Sequence, residues 1–288
     1  MWDREPHLER PILVVALAGL FDAASVATGA TRWLVHQLGA RRLAHIDVEH
    51  FVDFHDVRPR VELTPEGTRR IIWPELAVTS TDVRATPGAG VAHDLVVLSG
   101  VEPHLRWRTF TELVLELAAR AEVEMIVTLG ANPAQAPHTR PPVVFGSSTN
   151  PELVRRLGLS RPQYQGVTGV LGVLQAALDT AGPPAIAMRV DVPHYATSET
   201  NPKATMALLR HLEHVTGVPT AHGALAPDAA RWEARLNEAV AADPDANTYI
   251  RQLEARYDSR TEQQLASGED LADELERFLR DQRGDTSG

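Results

Sequence analysis

The sequence predicts an α/β protein in which helices sandwich a mostly parallel sheet. Three observations carry this. Four apolar runs, Ile12 to Ala18, Asp94 to Ser99, Met125 to Leu129 and Ala185 to Val192, read as buried strands, and each is followed by a helical pattern. The stretch from Val123 to Pro142 breaks from apolar residues into a polar, proline-punctuated loop, as a strand does when it feeds a functional edge. After Pro219 the chain turns polar, with narrow apolar stripes at helical spacing.

Composition narrows the function. The 288 residues, 43% apolar and 23% charged, suit a soluble chain with a substantial core, divided here into a core at 1–219, a helical appendage at 220–283 and a frayed tail at 284–288. The formal net charge of −10 argues against a nucleic-acid backbone binder, which needs a basic face to release counterions. The absence of cysteine excludes disulfides, thiolate metal sites and cysteine nucleophiles. The apolar run Ile12 to Ala18 is too short to span a membrane and lacks the flanks of a signal peptide, so no membrane partner and a cytoplasmic location are expected.

After the first strand, GLFDAA turns into a helix with Val26, Ala27, Ala30, Leu34 and Leu38 on its apolar face. Asp22 stands where a carboxylate accepts N–H groups at the helix start, or where a polar group is displayed at a strand end. Arg42 to Phe54 and Thr68 to Thr79 alternate like strands, Pro59 and Pro65 mark their connection, and Pro74 implies an edge or a bulge. Thr86 to Ala92 is a loop by composition, and its glycines lack the Lys-Ser/Thr of a phosphate loop.

A helix from Trp107 to Ala121 follows the second strand, with Arg106 and Arg108 at the end where the macrodipole disfavours cations. Their partner is expected to be Glu102, another acid of the fold, or a bound anion. Further on, Pro142 to Gly146 reads as a short strand, and Asn150-Pro151 and Asn201-Pro202 are helix starts, the helices running to Leu157 and Thr216. Thr168 is expected to cap a deeply packed helix carrying Val170, Leu171, Leu174 and Leu178. Lys203 falls in a first helical turn, as a solvated lysine or an anion contact. Three amphipathic stripes close the chain, on Trp232 and Leu236, on Ile250, Leu253 and Tyr257, and on Leu271 to Leu279.

In a parallel sheet ligands collect at the strand carboxyl ends. Three strands there lead to Pro-His pairs, placing His104, His138 and His194 along one edge with Asn132, Thr139 and Arg140. The histidines lack the i, i+4 spacing of a helical zinc site, no carboxylate stands out to orient a base, and Gly146-Ser147-Ser148 lacks a nucleophile elbow. No metal, no cofactor and no catalytic residue is therefore expected. The contact candidates are Asp22, Glu102, Arg106, Arg108, Asn132, His138, Thr139, Arg140, Thr168, His194 and Lys203, and of the 123–142 stretch Thr139-Arg140 outranks His138.

The segments GVEPHLRWRTF (100–110), VTLGANPAQAPHTRP (127–141), YQGVTGVLGVLQ (164–175) and VPHYATSETNPKATMALL (192–209) together resemble the proteasome assembly chaperone family, in its bacterial branch, and the likeness runs from Pro11 to about Tyr257. The resemblance implies a three-layer α/β/α fold similar to purine nucleoside phosphorylases, appended C-terminal helices, and self-association, with a trimer as the expected state. It implies no reaction. The chain departs from the pattern in two places: it ends Asp285-Thr286-Ser287-Gly288 where proteasome-docking relatives carry a hydrophobic-Tyr-any residue tail, and His104 replaces a small polar residue. The expectation is a non-catalytic, oligomeric assembly or interaction protein. The alternative is a site at the strand ends for a nucleoside- or phosphate-like anion, built on Arg106, Arg108, Arg140 and Lys203 with the helix starts at Thr168 and Asn201.

Overall fold

Alternation along β1 (Ile12–Ala18) divides the protein into two cores. Ile12, Val14 and Ala16 pack with Ala27, Ala30 and Leu34 of α1 (Val26–Gln37) and with Leu208, Leu209 and Leu212 of α5 (Pro202–Thr216). Leu13, Val15 and Leu17 pack on the other side with Phe110, Val114 and Leu117 of α2 (Trp107–Arg120) and Val170, Leu171 and Leu174 of α4 (Val170–Ala181). A strand buried on both faces needs a helix layer above and below it, which makes the fold three-layered. The structure is a computed structural model that describes residues 2, 3, 5, 7–81 and 93–263. The expected loop at Thr86 to Ala92, the stripe at Leu271 to Leu279 and the tail at 284–288 lie outside the described residues.

Seven strands form the sheet in the order β2-β5-β6-β1-β7-β9-β8. The central four, β6 (Leu95–Val101), β1, β7 (Met125–Ala134) and β9 (Ala185–Pro193), are parallel. Antiparallel pairings flank them: β5 (Leu76–Ser80) on β6 and β2 (Arg41–Ile46) on β5 at one side, β8 (Val144–Ser147) on β9 at the other. Both outer edges are blunted. Asp3 N–H donates to Leu43 O at 2.9 Å beside β2, and Ser160 exchanges hydrogen bonds with Gly146 O and Ser148 N beside β8.

The helix starts at Asn150 and Asn201 form as the sequence dictates. Asn150 accepts the N–H groups of Glu152 and Leu153 at the head of α3 (Pro151–Leu157), Asn201 accepts that of Ala204 at α5, and the helices end at left-handed Gly158 and Gly217. Three expectations need correction. The Arg42 to Phe54 run is strand only to Ile46, then a 3-10 turn at Val48–His50 that tucks Phe51 and Val52 inside. The Thr68 to Thr79 run breaks at Pro74. Its first half is β4 (Arg69–Ile72), paired with β3 (Arg60–Leu63) in a separate two-stranded ribbon where only a connection was expected. Thr168 caps nothing: Gly169 holds the N-cap of α4, without a side-chain bond.

Beyond α5 come α6 (Ala226–Ala241) and α7, helical over 244–263. Their narrow stripes are the buried Trp232, Ile250 and Leu253. Among the described residues no helix is long and apolar enough to cross a membrane.

Candidate functional site

β7 outruns its apolar core and carries the chain to Pro137 and then to His138, Thr139 and Arg140, at the carboxyl end of the parallel strands. There α6 and α7 lie across the edge. His138 is only 2% exposed. Its backbone N–H donates to Tyr195 Oη at 2.9 Å, so the Tyr195 hydroxyl proton points to His138 Nδ1, 2.8 Å away, and Nε2–H donates to Asn237 Oδ1 at 3.1 Å. The neutral ring stands edge-on to Trp232. Burial holds its pKa below the ordinary 6.5, against the pull of the Asn237 bond. Burial also pushes the Tyr195 hydroxyl up to about 12.

The cations of this edge meet acids of the same chain. Arg140 donates from Nε and Nη2 to Asp258 at 2.8 and 2.7 Å and from Nη1 to Glu254 at 3.3 Å, while Thr139 Oγ1–H donates to Glu254 at 2.5 Å. The hydrogen bond from Arg140 lowers the Asp258 pKa, and the same bond raises that of Arg140. Lys203 Nζ donates to Glu233 at 2.6 Å and to His138 O at 2.7 Å. Tyr257 Oη–H donates to Pro141 O at 3.1 Å. His194 Nδ1–H donates to Ala134 O at 3.0 Å, leaving Nε2 to accept from Tyr249 Oη at 3.3 Å.

The other candidates are dispersed. Asp22 accepts the Thr28 N–H at 3.0 Å and its hydroxyl at 2.5 Å, a tie across the start of α1, and burial raises its pKa despite both bonds. Glu102 accepts the Leu20 N–H at 2.6 Å and pairs with neither Arg106 nor Arg108, which are exposed and form no ion pair among the described residues. Thr168 is exposed, and Asn132 is half-buried on β7 opposite Asp191. His104 Nδ1 accepts the Asp53 N–H at 2.9 Å, whereas His138 and His194 both flank Tyr195. Among the described residues no group of three or more His, Asp or Glu could hold a metal ion.

Sequence reasoning gave no role at this edge to Tyr195, Glu233, Asn237, Glu254 or Asp258, and read Trp232 only as part of a helical stripe. One signal was present: Glu254 and Asp258 stand four residues apart on the Ile250-Leu253-Tyr257 stripe, so both carboxylates share a helix side. Arg189 reads from the sequence only as an interruption of the strand that became β9.

Together the sheet, its two helix layers and the helical cover define a class of α/β/α protein whose strand-end edge is closed by its own C-terminal helices. The family model described as the PAC2 family matches residues 16–240, and the chain belongs to that family. A PAC2 family protein from Streptomyces avermitilis is 37% identical, with a TM-score of 0.76 over 83% of this chain and 99% of its own. A proteasome-assembly chaperone homologue from Mycobacterium tuberculosis is 35% identical, with a TM-score of 0.74 over 83% and 99%. A protein of unknown function from Corynebacterium glutamicum is 26% identical, with a TM-score of 0.79 over 91% and 97%. No curated protein matches.

Proposed function

We propose that the chain is a non-catalytic, self-associating protein of the assembly-chaperone type, a trimer in the cytoplasm, built from a 1–219 core and a 220–283 appendage. The observation that carries self-association is the β3–β4 ribbon. Val61, Leu63, Ile71 and Trp73 are 58, 72, 43 and 54% exposed within thirteen residues. Val61 and Ile71 are direct cross-strand partners and share a face with Leu63. A free two-stranded ribbon is marginal by itself and an exposed apolar face of this kind is a contact surface. Between 58 and 70 it also holds four arginines against two glutamates, on a chain of net charge −10. A second copy of this acidic chain therefore suits such a ribbon, and a head-to-tail contact of this sort gives a ring where its rotation closes, as the trimer requires.

The assembly-chaperone part rests on the PAC2 membership and on the M. tuberculosis relative. Light scattering on the purified chain tests self-association: a trimer is expected, a monomer at every concentration sinks the reading. Leu63→Asp with Ile71→Asp is expected to give folded monomers. Purified proteasome α subunits mixed with the chain test the chaperone role, with co-elution expected and separate elution counting against it.

A further inference from the structure

Arg189 is an arginine in a parallel strand, enclosed by protein except for a small exposed part. Its Nη1 serves three acceptors at once: Thr128 O at 3.1 Å, Thr128 Oγ1 at 3.3 Å and Met188 O at 3.0 Å. Among the described residues, Nε and Nη2, which hold the other three N–H groups of the fork, donate to nothing, and no carboxylate pairs with the guanidinium. Among the described residues the sealed polar side-chain atoms without a partner are Thr79 Oγ1, Thr111 Oγ1 and Trp232 Nε1, so Arg189 Nε and Nη2 still reach solvent. The Phe21 ring lies 5.0 Å from the guanidinium carbon. Burial lowers the Arg189 pKa to about 10, which leaves it charged at neutral pH.

The sheet register gathers the neighbours of Arg189 on one face near the strand ends. Gly130 is the β7 partner of Arg189, and a Cβ there would stand 2.7 Å from Arg189 Cδ and 2.8 Å from Nε. Gly130 has no positive φ, so space for this side chain is what keeps the position free of a Cβ. Phe145, 43% exposed, is the β8 partner of Arg189, and Asn132 and Asp191 pair one step further along the same face. Asn132 forms no side-chain hydrogen bond among the described residues, and Asp191 has its pKa raised by burial against the charge of Arg260. An arginine placed only to brace the sheet spreads its donors over the available carbonyls. This one crowds three acceptors on one nitrogen and leaves the Nε–Nη2 side, the side that grips a carboxylate bidentately, without an acceptor among the described residues and beside an aromatic ring.

We propose that Arg189 anchors a binding site for a small carboxylate with a flat apolar body, which pairs with Nε and Nη2, lies against Phe21 and is bordered by Asn132 and Asp191. A monoanion fits better than a phosphate dianion, because Asp191 stands on the same face and, among the described strand residues that pair there, Arg189 is the one cation, the charge of Arg260 being turned on Asp191. This site is separate from the Arg140 and Lys203 pairs and does not depend on self-association.

Calorimetric titration of the full chain with benzoate, acetate and inorganic phosphate tests it. Saturable benzoate binding is expected, tighter than acetate or phosphate, and weakened at least tenfold in Arg189→Met. Asp191→Asn is expected to tighten it several-fold by removing a like charge. Removing an uncompensated charge also predicts that ligand-free Arg189→Met melts at or above the wild-type temperature, where a bracing role predicts a lower one. Absence of saturable benzoate binding, equal binding by Arg189→Met, or preference for phosphate each overturns the proposal.

Discussion

Arg140 and Asp258 meet fork to fork, Nε on Oδ1 at 2.8 Å and Nη2 on Oδ2 at 2.7 Å, one residue in the loop after β7 and the other on α7. Arg140 is a third exposed and Asp258 nearly half, so water screens the pair and its weight in global stability is small. Its effect is local: with the Glu254 contacts it fixes α7 across the strand ends. Asp258→Asn is therefore expected to speed amide exchange in 250–263 several-fold while leaving β1 and β7 protected. Hydrogen-exchange mass spectrometry reads this directly, and unchanged exchange in α7 would show that Ile250 and Leu253 hold it unaided.

His138 makes the covered edge sensitive to acid. The folded pKa lies below 6.5, so as the pH falls the unfolded chain takes up its proton first and the folded state loses ground. This contribution is fully present above pH ~6.5 and declines below it until the folded ring is itself protonated. Glu233 and Glu254 favour the charged ring, Lys203 and burial oppose it. Asp258 and Glu213, whose pKa values are lowered, act in the same direction in a more acid window, and Asp22 and Asp191, raised, act against it. Urea midpoints between pH ~5 and ~7 are expected to fall in wild type and to stay flatter in His138→Gln. Identical slopes would remove His138 from the account.

Trp232 is 1% exposed, and its indole N–H has no partner. The residue acts as a plug of apolar volume under α6. Trp232→Ala is expected to cost about 3–5 kcal/mol through the cavity it leaves. Trp232→Phe keeps a ring and deletes the unpaired donor, so a loss of only about 1 kcal/mol is expected. Denaturant unfolding separates the two, and a phenylalanine variant as damaged as the alanine one would reveal a hydrogen bond to the indole.

The scaffold was legible where local chemistry decides. The apolar run at β1, and the Asn-Pro starts at 150 and 201, became the elements read from them because strand burial and helix capping depend on near neighbours. The β3–β4 ribbon was legible only in its second strand: Arg60 to Leu63 alternates polar and apolar residues, but over only four positions between Pro59 and Pro65, too few to stand out from a connection. The edge was half legible. Thr139 and Arg140 stood out as polar residues in a proline-rich loop, but their partners lie 115 and 118 residues away on a helix. His138 looked like an ordinary loop ending for the same reason: its burial comes from Trp232 and Asn237, which only the fold brings over it.

Gly130 offers a test of how tightly β7 is fitted to its neighbour. An added Cβ would meet Arg189 Cδ at 2.7 Å and Nε at 2.8 Å, and Phe21 Cβ at 3.1 Å. None of these atoms is the free end of a side chain, because Arg189 is tied at Nη1 and Phe21 lies against its guanidinium. Gly130→Ala is therefore expected to destabilise the chain by about 1–3 kcal/mol through overpacking, although alanine suits an extended backbone better than glycine. In an Arg189→Ala background the main obstacle is gone, and the same change should cost markedly less. A double-mutant cycle by denaturant unfolding measures the coupling. Additive costs would mean that the strain at Gly130 comes from Phe21 or the sheet itself.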